Sequence, residues 1–204
     1  MGKFIGSVFT DKGIPTPCVM EVNKYLSEWN VLESYSAQEN SLEKLFVHTY
    51  PRNNSIEEIL AKTAVLNDFY STNIFNTYRV AKHIFELDID NRLQNGDMEL
   101  VNDIALVDMG EGKIKNFYSF ATKFCSHHKP LDYPIYDSFV DEVLRYFRNK
   151  DNFYVFLNKD LKNYKNFKNI LIEFQRFYAL TDFNIKDIDK YLWQFGKKYF
   201  RKKY

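Results

Sequence analysis

The chain has 204 residues, 45% of them apolar, with a net charge of +1, and its two cysteines, Cys18 and Cys125, exclude a disulfide framework. No stretch is long and apolar enough to span a membrane. Gly 7 and Pro 5 leave little room for linkers, and no internal repeat or long polar tract appears, so a single domain over residues 1–204 is expected, without separately folded lobes.

In chain order, Met1-Gly2 has the look of a myristoylation start, but Gly6 stands where Ser or Thr is needed. No cationic start followed by an apolar run is present, so a cytoplasmic protein is expected. Phe4 to Thr10 reads as extended. Leu66 to Ile74 forms a turn before a helix carrying Ile74, Tyr78 and Ala81. Charge then changes sign: residues 1–110 hold 9 Lys+Arg against 16 Asp+Glu, net −7, and residues 111–204 hold 19 against 11, net +8. A basic half agrees with a nucleic-acid partner, although a charge run is also what a solvated face looks like.

Within the basic half, Phe117, Phe120, Ala121, Phe124 and Cys125 recur at helical spacing and place Lys123 on a helix that stops near Pro130. A second helix begins at Asp137, whose side chain suits an N-cap, with Phe139, Val140, Val143, Leu144 and Phe147 as its buried stripe. Lys123 and Asp137 thus flank one short turn. Tyr154 to Leu157 reads as a second extended stretch. Lys162 to Asn169, with its Asn, Lys and aromatic residues, reads as coding bias on a helix and not as a base-stacking motif. A closing helix runs over Asp189 to Lys197, and Lys197 to Lys203 is a basic tail. Three-to-four-residue periodicity dominates, so the fold expected is mainly α. Cys125, His127 and His128 are crowded and have no Cys or His partner motif elsewhere, so no metal site is expected.

Thr122-Lys123 followed by Pro134-Ile135-Tyr136-Asp137 resembles the core of the helix-hairpin-helix superfamily of DNA glycosylases, especially the 8-oxoguanine branch. Leu66 to Ile74 is similar to the Asn-containing segment with which that branch parts DNA strands, and Asp189 to Lys197 to the closing helix of its small relatives. The likeness spans roughly residues 60 to 200. It implies a two-lobed helical fold with a cleft between the lobes, and a lysine nucleophile, Lys123, that expels a base through a Schiff-base intermediate with Asp137 assisting. It implies a base pocket with His127 and Trp193, and DNA contacts at Tyr70, Asn73, Lys113, Lys115, Ser119 and Thr122. The partner would be double-stranded DNA carrying a damaged or modified base, in a prokaryotic or phage setting, bound by a monomer with no cofactor. Either oxidised-purine repair or removal of modified phage bases fits.

Three departures accompany the likeness. Tyr118-Ser119-Phe120-Ala121 stands where the family has a phosphate-gripping Gly-x-Gly hairpin, and Gly110 and Gly112 come too early to replace it directly. One extra residue separates Pro134 from Asp137. Phe139 occupies the place of a phosphate-touching histidine. A degenerate hairpin leaves a second reading open, a catalytically silent helical DNA-binding or protein-interaction module. On composition alone Lys123 is a solvated helix lysine, Asp137 a plain cap, His127 a partly buried histidine and Trp193 a core residue.

Overall fold

A computed structural model describes residues 13–29 and 31–200, so the reading of Phe4 to Thr10, the Met1-Gly2 start and the end of the basic tail lie outside the described residues. The chain is mainly helical, as the periodicity predicts. It runs through α1 (Val19–Trp29), α2 (Glu33–Glu43), a π-helical turn (Lys44–Thr49), α3 (Ile56–Tyr70), α4 (Thr77–Glu86), α5 (Asp90–Gln94) and α6 (Glu99–Ala105). A two-stranded hairpin, β1 (Leu106–Asp108) and β2 (Ile114–Asn116), then leads into α7 (Tyr118–His128), α8 (Ser138–Asp151), a 3-10 turn (Asn158–Lys162), α9 (Tyr164–Phe177) and α10 (Ile185–Tyr199). None of the described helices is long and apolar enough to cross a membrane.

The helix bearing Lys123 is buried around its whole circumference. The apolar positions predict one buried stripe, but Thr122, Lys123, Ser126 and His127 are buried too, because α6, α3 and the π-helical turn cover α7 on several sides. It ends where the sequence predicts, one residue before Lys129 and two before Pro130. After the connecting turn, the Asp137 side chain accepts a hydrogen bond from the Val140 amide at 2.8 Å and caps α8. Most of the stripe that follows behaves as read: Val140, Val143, Leu144 and Phe147 are in the core, whereas Phe139 is half-buried.

Two connections differ from the sequence reading or go beyond it. Gly110, Glu111 and Gly112 all have positive φ and close the antiparallel β1–β2 hairpin, in which Leu106 pairs with Asn116 and Asp108 with Ile114. At Gly110 the glycine is required by its backbone, φ +104, while the Arg79 guanidinium that a Cβ would meet at 2.9 Å is the end of a flexible side chain. Tyr154 to Leu157 is irregular and pairs with no strand among the described residues; the 3-10 turn follows it. Tyr164 and Phe167 from the Lys162 to Asn169 stretch are fully buried, which puts its aromatics in the core.

Helices α8 and α10 pack so closely that a Cβ at Gly196 would lie 2.6 Å from the Phe139 Cβ and 3.0 Å from its carbonyl oxygen. This contact brings the middle of α10, with Asp189 and Trp193, against the start of α8. Phe139 therefore packs on α10, as its apolar character implies.

Candidate active site

Lys123 is 3% exposed. Its ammonium donates to the Ser119 hydroxyl at 2.6 Å, the Ser119 carbonyl at 3.2 Å and the Tyr136 carbonyl at 3.3 Å. Three acceptors match the three N–H bonds of a charged lysine. Burial nonetheless pulls its pKa down to about 8, against the opposing pull of Asp137 and then Asp189. The solvated-lysine reading is thereby overturned: this amine is hidden, charged at rest and close to losing its proton near neutral pH.

Thr122, beside it, binds the two arms of the turn together. Its hydroxyl donates to the Ser119 carbonyl at 3.0 Å and accepts from the Tyr136 amide at 3.1 Å. It is completely buried, so the structure gives it a positioning role in place of the DNA contact expected of it. Ser119 is also committed, donating to the Tyr136 carbonyl at 3.1 Å while accepting from Lys123. These bonds fix Tyr136, and with it Asp137, relative to Lys123.

Two cavities meet at Asp137. An outer groove of about 520 Å³ is lined by Ser119, Lys123, Asp137, Phe139, Tyr70 and Trp193, among others. An inner pocket of about 230 Å³ lies between Trp29, Tyr35, Tyr70, Asp137, Asp189 and Trp193. Tyr70, Ser71, Asp137 and Trp193 line both. Burial raises the Asp137 carboxyl above its usual range, while Lys123 and the α8 amides pull the other way.

The inner pocket is aromatic and contains a residue that the sequence reading passed over. Trp193 lies edge-on to Tyr35, ring centres 4.9 Å apart, and to Trp29 at 5.7 Å. Asp189, 6% exposed, accepts a hydrogen bond from the Ile135 amide at 2.9 Å through Oδ2, while Oδ1 has no partner. Burial lifts its pKa to about 7, against the pull of Lys186. At the rim Glu39 accepts from the Trp29 indole at 3.0 Å and pairs with Lys190 at 2.9 Å and Lys186 at 3.5 Å. Asp189 stands four residues before Trp193, so one helical face delivers both; that spacing was the available signal.

His127 is placed differently from Trp193. It lines a neighbouring cavity with Pro130 and Glu43, and Tyr70 stands between, donating or accepting a 3.0 Å hydrogen bond at the His127 Nε2. Burial, with Lys186, His128 and Lys123 adding to it, holds His127 neutral. The pocket wall expected of His127 is therefore supplied by Tyr70, because the π-helical turn and α3 cover the histidine. Tyr70 is half-buried, and its ring also carries the Lys123 amine 5.2 Å from its centre. Asn73 is exposed with φ +58, and Lys113 and Lys115 are exposed on the hairpin just ahead of α7.

The fold and site define a mainly helical protein with a buried amine, a buried carboxylate and a half-buried one beside an aromatic pocket. A family model described as HI_0787_N, N-terminal domain, matches residues 21–132, and the chain belongs to that family. A protein of Haemophilus influenzae described as an uncharacterized protein is 53% identical over 148 residues, which cover 72% of this chain and 70% of that protein. No solved structure matches. The family match takes in Lys123 and stops before Asp137.

Proposed function

We propose that this protein is a DNA glycosylase and lyase that removes a damaged or modified base, with Lys123 as nucleophile. The observation that carries the reading is a buried lysine, its pKa lowered to about 8, in a groove that adjoins an aromatic pocket across a capping aspartate. A glycosylase needs this division of space, because the sugar must reach the amine while the base leaves the stack for a pocket of its own. In this reading the groove is the cleft between two helical lobes and holds the sugar and phosphates. The inner pocket holds the extruded base between Tyr70, Trp29 and Trp193. The β1–β2 hairpin, with Lys113 and Lys115, stands in for the glycine-rich phosphate hairpin.

Proton loss from Lys123 frees a lone pair that attacks C1′ of the deoxyribose. The glycosidic bond breaks with its electron pair going to the base, which takes up a proton. Opening of the sugar ring places the O4′ electrons on oxygen and leaves a protonated Schiff base on Lys123. Loss of a C2′ proton then expels the 3′ phosphate. Asp137, half-buried and anchored by the α8 amide, stabilises the positive charge that develops on sugar and amine. Asp189, with one oxygen unpaired, offers the base an acceptor for an N–H on its edge.

Duplex oligonucleotides carrying single defined base changes test the reading. Wild-type protein should release one class of base, and Lys123→Gln none. Asp137→Asn should keep its melting temperature within a few degrees, because asparagine also caps helices, while turnover falls by orders of magnitude. Failure of the wild type to release any base across the panel would contradict the reading.

A further inference from the structure

The groove that holds Lys123 contains a second amine, for which the reaction above has no use. Among the described residues that line it, the charged ones are Lys123, Asp137 and Lys162, two cations against one carboxylate. Lys162 ends the 3-10 turn ahead of α9. Its backbone is fixed on both sides: Asp160 accepts from the Leu157 amide at 2.7 Å, Leu161 is fully buried, and Asn163 caps α9 by accepting from the Asn166 amide at 3.1 Å.

The Lys162 side chain is exposed and turns onto Tyr136. Its ammonium lies 4.1 Å from the centre of that ring and donates to the phenol oxygen. The phenol donates in turn to Asp141 at 2.8 Å, but Asp141 is already paired with Arg145 at 2.5 Å. Lys162 therefore has no ion pair of its own among the described residues. Partial burial lowers its pKa against the pull of Asp141, and Arg145 lowers it further, so its charge lacks a counter-ion. An anion entering the groove would supply one, and the ring already holds a side chain that binding would otherwise have to order.

Tyr136 links this free cation to the nucleophile. Its carbonyl accepts from Lys123 at 3.3 Å while its phenol accepts from Lys162, so the two amines meet opposite ends of one residue. A nucleotide offers the matching pair of groups, a neutral sugar carbon for the first amine and an anionic phosphate for the second.

We infer that Lys162 binds a phosphate flanking the nucleotide whose sugar meets Lys123. The inference rests on the glycosylase reading for the identity of the groove. Lys162 positions the substrate and takes no part in bond breaking.

The test uses a duplex carrying a tetrahydrofuran abasic analogue, together with a set in which one phosphate at a time around the analogue is replaced by an uncharged methylphosphonate. Wild-type affinity should fall several-fold at one flanking position. Lys162→Met keeps an unbranched stem over Tyr136 and should fold as wild type. It should bind the unmodified duplex more weakly by the same factor, flatten the slope of log affinity against log salt by about one, and be indifferent to the methylphosphonate at that position. Lys162→Arg should restore both the affinity and the sensitivity. Unchanged affinity and slope in Lys162→Met, or equal sensitivity of variant and wild type at every position, would overturn the inference. So would a wild-type scan in which no flanking phosphate matters, whatever the variant's folding. A Lys162-dependent phosphate without any adduct at Lys123 on a natural abasic site would leave the contact standing and refute the glycosylase reading. An adduct at Lys123 with duplex binding indifferent to Lys162 would do the reverse.

Discussion

A buried carboxylate with an unpaired oxygen is costly, and Asp189 accepts that cost at the wall of the inner pocket. With its folded pKa raised to about 7 from an ordinary 3.8, it binds more protons in the folded than in the unfolded protein between those values. Its contribution to stability is therefore fully present below about pH 3.8 and lost as pH rises through 7. The difference in melting temperature between wild type and Asp189→Asn should accordingly shift in favour of the variant as pH rises from 4 to 8. Asparagine still accepts from the Ile135 amide but carries no charge to bury. A difference that stays constant over this range would show that Asp189 is solvated. Lys123 has the opposite sign: its depressed pKa makes folding less favourable below about pH 8, a penalty relieved as pH rises from 8 towards 10.5.

At the scale of elements, the site depends on how closely α10 approaches α8. Gly196→Ala would place a methyl group 2.6 Å from the Phe139 Cβ and 3.0 Å from backbone, so the helices must part. A loss of ~1–3 kcal/mol in stability is expected, read by denaturant unfolding, together with a fall in any activity that requires Asp189 and Trp193 beside Asp137. An alanine variant as stable as wild type would mean that the two helices have slack. The same level shows what was legible in the sequence. Capping of α8 by Asp137 and the end of α7 before Pro130 follow from chain neighbours, and both were readable. Burial of Lys123 was not, because α3, α6 and the π-helical turn supply the cover from distant parts of the chain. Asp189 escaped for a related reason: a charged residue in the middle of an amphipathic helix looks solvated until the helix packed against it is known. Strands of three residues each carry too little alternation to reveal β1 and β2, so Gly110 and Gly112 were visible only as glycines without a place.

For the whole molecule, the charge imbalance is the feature most relevant to a polyanionic partner. The basic half includes α7 and the second hairpin strand, and Lys113 and Lys115 lie exposed just ahead of the helix that carries the buried amine. Reversing both to Glu should weaken duplex binding uniformly across sequences and flatten the slope of log affinity against log salt by about two, one per phosphate contact removed. An unchanged affinity at low salt would show that DNA approaches another face. The central claim, that Lys123 bonds covalently to the sugar, is tested most directly by borohydride trapping on a duplex with a natural abasic site. An adduct should form with wild type, map to Lys123 by peptide mass, increase in yield as pH rises through about 8 and vanish in Lys123→Gln. An adduct that maps to another lysine or survives in the variant, or no adduct at any pH, would contradict it.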